Sequence, residues 1–270
     1  MSVTNLSKRR GEILDEIMAH HRETLPKVMA DVPFADLRAM ASVAPPARDF
    51  EAAVRAPGVS LIAECKKASP SRGLLVHNYD PVRLAKLYEK AGARAISVLT
   101  DARHFQGALA HLRDARDAVR VPVLRKDFMF HPYQLYEARV AGADAVLLIA
   151  AVLSDTELRE LLALAGRLGM AALVEVYSEE ELARVLPLGP RLIGVNNRNL
   201  QTFDVDFGNT ARLRALIPPE IAVVGESGLK SPDDVRAMKA AGVDGVLVGE
   251  TLVRSKDIAG TARAFVAAGL

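Results

Sequence analysis

One cysteine and no tryptophan occur in 270 residues. A lone cysteine forms no internal disulfide, so no oxidising compartment is implied, and Cys65 is read as a small apolar residue on its strand rather than a catalytic thiol. Charge of one sign is also missing. The formal net charge is +2 and the basic residues are scattered, which argues against nucleic acid or an anionic membrane surface as partner. No apolar run approaches bilayer length, the longest being about Ala145–Leu153. Met1–Arg10 is polar and basic and leads into a charged helical pattern, not a secretory signal. The expectation is a cytoplasmic protein. The six histidines show no ligand spacing and no G-x-G-x-x-G follows the first strand, so neither a metal nor a dinucleotide is expected.

What the chain does have is a repeat. Lys90–Leu99, Val140–Ile149 and Ala240–Gly249 share a helix end, a glycine, a short polar step and an apolar run of strand length. Looser copies place Gly169 before Ala172–Val176 and Gly189 before Leu192–Val195. In all five the strand is expected to open three residues after the glycine. Adding Leu61–Cys65, Val121–Leu124 and Ala222–Val224 gives eight strands separated by helical patterns. Runs apolar on both faces suit parallel strands covered by helices, and eight βα units of this length suit a (β/α)8 TIM barrel, an α/β fold. An open doubly wound sheet is the alternative. Asp80-Pro81, Ser154 with Glu157, Ser178 and Ser231-Pro232 read as helix starts. Residues 1–58 carry an amphipathic stretch with Ile13, Ile17, Leu25 and Val28 among its apolar positions. They are expected to form an N-terminal helical extension packed on one catalytic domain, the barrel of residues 59–270.

The active site of such a barrel is built at the C-terminal strand ends. The first of these ends, in Ile62–Gly73, alternates charges and then breaks into a Ser/Pro/Gly loop. Alternation puts Ile62, Glu64 and Lys66 on one face. Leu124 with Lys126, Leu173 with Glu175 and Val224 with Glu226 repeat the arrangement, and Asn196, Asn197 and Arg198 follow the sixth strand. Two lysines and several carboxylates converging in a pocket shift each other's pKa values in both directions, which suits general acid–base work, although a structural ion pair has the same pattern. The lysines oppose a cation. Gly225-Glu226-Ser227-Gly228 and Gly249-Glu250 follow the last two strands, where barrels of this kind hold phosphate on backbone amides, and Ser69 and Arg198 are placed to supplement them.

Six ordered motifs over about residues 48–255 then carry a resemblance: Ile62–Gly73, Ala95–Thr100, Pro122–Phe128, Leu173–Val176, Ile193–Leu200 and Gly225–Gly228. The chain resembles indole-3-glycerol phosphate synthases of tryptophan biosynthesis. This resemblance implies a carboxy-lyase that closes 1-(2-carboxyphenylamino)-1-deoxyribulose 5-phosphate to indole-3-glycerol phosphate with loss of carbon dioxide and water. It implies no organic cofactor and no metal. It casts Lys126 as the general acid, Glu175 as its acid–base partner, and Glu64 and Lys66 in the dehydration and in holding the substrate. Asn196 and Glu226 become orienting groups, Ser69, Ser227, Gly228, Gly249 and Glu250 surround phosphate, and Arg198 stands near the anthranilate carboxylate. The decarboxylation needs a dry pocket, and Phe128, Leu147 and Leu200 are candidates to line it. Departures from the family pattern stand at His104, Tyr177, Asn199 and Gly225. The chain stops at Leu270, so no fused second barrel is expected, and other tryptophan-pathway enzymes are not indicated as partners. Two alternatives stay open: another phosphosugar isomerase or lyase on the same barrel, and a non-catalytic phosphosugar-binding subunit.

Overall fold

A computed structural model describes residues 13–200 and 202–270. The reading of Met1–Arg10, and the first part of the extension, lie outside the described residues. Eight parallel strands close into a barrel: β1 Ser60–Cys65, β2 Ala95–Leu99, β3 Val123–Lys126, β4 Ala145–Ile149, β5 Ala171–Val176, β6 Leu192–Asn196, β7 Ala222–Glu226 and β8 Gly245–Val248. Chain order is spatial order, and β8 pairs with β1 through Ser60 opposite Gly245. This closure excludes the open sheet.

In chain order the helices are α1 Ile13–Asp31, α2 Phe34–Ser42, α3 Phe50–Val54, α4 Pro81–Ala91, α5 Ala102–Phe105, α6 Leu109–Ala118, α7 Pro132–Val140, α8 Asp155–Arg167, α9 Glu179–Val185, α10 Asn209–Arg214, α11 Pro232–Ala240, α12 Glu250–Val253 and α13 Ile258–Gly269. Asp80, Ser154, Ser178 and Ser231 cap α4, α8, α9 and α11 through their side chains, as the sequence signals predict. His131 also builds a capping box at α7, which the sequence reading passes over because histidine is not among the usual cap residues.

The five repeat glycines, 92, 142, 169, 189 and 242, all take positive φ, the conformation that lets the chain leave a helix and turn back into the barrel. Four strands open three residues later; β5 opens one residue early, at Ala171. The polar step has a job of its own. Asp144 and Asp244 are aspartates in the same place in two repeats, and each accepts an amide at the start of the preceding strand, that of Val123 or Val223, at 2.8 Å. The third strand starts later than expected: Val121 and Pro122 precede it and Lys126 ends it. A two-residue ladder of Ala68–Ser69 with Gly73–Leu74 after β1 also goes unforeseen, being too short for any periodicity.

Alternation divides the core in two. Leu61, Ala63, Cys65, Ile96, Val98, Val146, Leu148 and Val174 face the helices. Ile62, Leu124, Leu147, Leu173, Val224 and Leu247 fill the barrel. The extension reaches both ends of that interior. Phe50 and Val54 of α3 plug the N-terminal mouth, while Leu14, Ile17 and Met18 of α1 join the interior cluster from the C-terminal rim. Val28 does not belong to the buried stripe: it is exposed, and Met29, one position on, packs beside Leu25 instead. Counting four residues on from Leu25 reaches the same helix face, whereas three reaches its flank.

Candidate active site

A cavity of about 640 Å³ opens at the C-terminal strand ends, and every one of the twelve predicted site residues lines it. Glu64, Lys126, Glu175, Asn196 and Glu226 are last or penultimate residues of β1, β3, β5, β6 and β7. The strand itself, not the following loop, therefore fixes them. Alternation then aims Glu64, Lys126, Glu175 and Glu226 inward above the interior hydrophobes Ile62, Leu124, Leu173 and Val224, and Asn196 inward above Gly194.

Lys126 is the hub. Its Nζ lies 3.1 Å from Glu175 Oε2 and 3.0 Å from Glu226 Oε2. Asn196 Nδ2 donates to the other Glu175 oxygen at 3.1 Å, and Lys66 Nζ meets Glu64 Oε1 at 2.5 Å. Burial alone would lower the lysine pKa, but the carboxylates Glu226, Glu175 and Glu64 outweigh it and hold the ammonium protonated. Burial is likewise the largest influence on Glu226, raising it against the pull of Lys126, with Glu175 and Glu64 pushing the same way. Carboxyls outnumber the ammonium around Lys126, so a proton held on one of them relieves the repulsion. Glu226 Oε1 is buried and lacks a hydrogen-bond partner, as does Ser69 Oγ across the cavity. Buried polar atoms left unsatisfied in a pocket are positions a polar ligand fills.

Two glycines make this cluster sterically possible. A Cβ on Gly194, which pairs with Glu175 across β5 and β6, would collide with the Glu226 carboxyl, and one on Gly249 would collide with that of Glu64. By its place after the last strand Gly249 is expected at the phosphate, and nothing in the sequence marks Gly194. The structure gives the space beside both to carboxylates. Gly225, grouped with the phosphate glycines, faces outward against Met238 and Thr210 and touches no ligand space. Alternation on β7 decides that, since Glu226 points in.

The phosphate-side candidates gather at one end. Ser227 and Gly228 both have positive φ, 64° and 81°. A non-glycine residue held there is strain of the kind found at ligand sites. Asn197 holds that loop, donating to the Ser227 carbonyl at 3.1 Å and accepting from Thr210, so it serves as scaffold. Glu250 pairs with Arg72 at 3.3 Å and Arg254 at 3.1 Å. Arg72 and Lys230, which the sequence reading leaves out of the site, line the cavity with Ser69 and Arg198. The one signal for Arg72 is its place in the Ser-Pro-Ser-Arg-Gly loop. Burial lowers the Arg198 pKa with Glu250 opposing, and an anionic ligand would offset that desolvation. The opposite wall is apolar: Leu99, Phe105, Phe128, Leu147, Ile149 and Leu200.

Of the departures, His104 binds Asp101 on α5, and Tyr177 takes part through its backbone, its amide donating to Glu181 and its carbonyl accepting from Asn209. The Asn199 side chain caps a turn by accepting from Thr202. None of the three lines the cavity. Cys65 is fully buried toward the helices, where burial pushes its thiol pKa up, in keeping with an inert side chain. No described helix is long and apolar enough to cross a membrane.

Among solved structures, 3-hexulose-6-phosphate synthase superposes with a TM-score of 0.63 at 15% identity, over 78% of this chain and 100% of that one. Thiamine phosphate pyrophosphorylase from Pyrococcus furiosus gives 0.59 at 16%, over 78% and 95%. Such likeness speaks to the fold alone. Sequence comparison goes further. Indole-3-glycerol phosphate synthase of Roseiflexus castenholzii is 51% identical over 260 residues, covering 93% of this chain and 97% of the relative. That of Rhodopirellula baltica is 49% identical over 256 residues, covering 94% and 99%. The family model described as indole-3-glycerol phosphate synthase matches residues 14–265. With a closed barrel, a lysine–carboxylate cluster at its C-terminal end and matches along nearly its whole length, this chain belongs to the indole-3-glycerol phosphate synthase family.

Proposed function

We propose that the protein converts 1-(2-carboxyphenylamino)-1-deoxyribulose 5-phosphate to indole-3-glycerol phosphate, releasing carbon dioxide and water. The observation that carries this reading is the Lys126 ammonium held between Glu175 and Glu226 in a cavity with one cationic and one apolar end. Ring closure needs an electrophilic carbonyl and a donor aimed at the oxygen where negative charge develops. Lys126 supplies that donor. An ammonium held this firmly is a weak acid in the free enzyme, and it strengthens when a neighbouring carboxyl takes up a proton or turns to the substrate.

Glu175, oriented by Asn196, accepts and returns protons in the later steps. Glu64 and Lys66 serve the dehydration as a paired base and acid. Glu226, with one oxygen unpartnered, orients a substrate hydroxyl. The phosphate lies against Ser69, Ser227 and Gly228, with Arg72 and Lys230 as added cations, and Glu250 holding Arg72 in place. Gly249 belongs to this corner by making room for Glu64. Arg198 takes the substrate carboxylate and the apolar wall receives the aromatic ring, where scarce water favours loss of carbon dioxide. The chain acts on a small molecule in the cytoplasm and needs neither metal nor organic cofactor. Residues 1–58 serve as an extension of the 59–270 barrel, not as a separate unit.

The test is indole fluorescence with the carboxyphenylamino substrate, which this tryptophan-free chain does not mask. Rising emission that disappears in Lys126→Met supports the reading. Substrate binding without emission from the unmodified protein rejects it.

A further inference from the structure

Away from the acid–base cluster, a group of titratable side chains joins the extension to two strand ends. His21 of α1 places Nε2 2.9 Å from Asp101 Oδ2 and 3.6 Å from Asp127 Oδ1. Its ring centroid lies 5.8 Å from that of Phe128, which lies 6.1 Å from that of Phe105, and both phenylalanines wall the cavity. Asp101 caps α5 by accepting the amides of His104 and Phe105. Asp127 sits between Lys126 and Phe128 and accepts from Thr100, Arg125 and the Phe128 amide. One imidazole thus bridges the two carboxylates that fix the aromatic wall. The three groups are close enough to hold a metal ion, but the Asp127 oxygens already take N–H and O–H donors, so a cationic ring suits the place better than a metal.

We propose that His21 is a positioning residue: as an imidazolium between Asp101 and Asp127 it clamps α1 onto the ends of β2 and β3 and keeps Phe105, Lys126 and Phe128 in register for the aromatic half of the substrate. The charge count favours the cation. Arg125 is shared with Glu137 at 2.8 Å, so it does not neutralise Asp101 and Asp127 by itself. The remaining charged neighbours are Lys126 on β3, His104 and Arg103 on α5, and His20 and Glu16 on α1. His104 lies 3.4 Å from Asp101; Arg103 lies 3.3 Å from His20 and 3.6 Å from Glu16. Burial lowers the His21 pKa and Arg125 adds to that, but the hydrogen bond to Asp101 and the charges of Asp127 and Asp101 outweigh both and leave it raised. The clamp is therefore complete below the ordinary imidazole value of 6.5 and is lost as pH rises through the folded value.

Imidazole NMR of the full chain, with kcat and KM from about pH 6 to 9, tests the clamp in the parent, His21→Gln and His21→Lys. His21 should titrate above 6.5 in the parent. His21→Gln should remain folded by circular dichroism and lose about 10-fold in kcat near pH 6.5, with KM changed by less than about threefold. His21→Lys, a permanent cation, should restore most of the rate and carry it to higher pH than the parent. Parental kcat and an unchanged alkaline limb in His21→Gln would overturn the proposal. So would a rate loss that lysine fails to restore, or a His21 that titrates below 6.5. The kinetic arm rests on the synthase reading. If the parent itself does not turn over, that reading fails, and the His21 titration still decides the clamp.

Discussion

At Lys126 and Glu226, burial and neighbouring charge are set against each other, and the balance decides both chemistry and stability. A carboxyl whose folded pKa is raised binds its proton more tightly folded than unfolded, so stability falls as pH rises from the ordinary value of 4.5 toward about 8. Glu226→Gln cannot ionise and leaves Lys126 paired with Glu175. Its melting temperature should gain on the parent's between pH 5 and 8, while turnover falls about 10²-fold or more; parallel melting curves across that range would contradict the raised pKa. Lys126→Met should remain folded and lose about 10²- to 10⁴-fold in kcat. Gly194→Ala tests the space kept for Glu226. The added methyl should cost about 1–3 kcal/mol in urea unfolding and lower kcat by displacing the carboxyl, and a fully active variant would mean that Glu226 has room to move.

Elements act here by delivering strand ends to a common rim. Five of the eight strands follow a repeat glycine of positive φ, and Asp80, Ser154, Ser178 and Ser231 cap four of the helices through their side chains, so many of the element boundaries are marked by residues close by in the chain. The capping box of Ser231 and Asp234 at α11 is one such boundary, remote from the acid–base cluster. Ser231→Ala should therefore cost about 1 kcal/mol, read as a lower melting temperature, with kcat unchanged. These signals are local, which is why helix starts, glycine ends and the inward pairs Ile62/Glu64 and Leu124/Lys126 are legible along the chain. The ladder after β1 and the late start of β3 are not, because two-residue pairing and the exact end of a strand depend on neighbours distant in sequence.

At the scale of the molecule, the extension wraps the barrel: α3 closes its N-terminal mouth and α1 its C-terminal rim. Ile17 is buried in the same interior cluster as Leu124 and Leu173. Ile17→Ala should cost about 2–5 kcal/mol in urea unfolding. A cost below about 1 kcal/mol would mean that α1 lies loosely on the rim. The acid side of the stability profile should also carry a mark of this junction. Burial favours protonation of Asp101, but bonds from His21 and the His104 amide hold its pKa at about 2. A depressed carboxylate contributes stability above its unfolded value of 3.8 that is lost as pH falls toward about 2. Asp101→Asn should accordingly lower the melting temperature at pH 6 more than at pH 3.

By itself the sequence determined the eight βα units, the inward column of charges at their ends and the family, because period, punctuation and motif order are properties of neighbouring residues. Only the tertiary structure decided which empty spaces those charges occupy. Gly194 and Gly249 serve carboxylates from other strands, Gly225 faces away from the cavity, and His21 meets Asp101 and Asp127 from 80 and 106 positions along the chain. The reason is physical: a side chain's direction follows from the pleat it sits on, whereas its partner across a closed barrel is fixed by register, tilt and closure, which no local stretch of chain encodes.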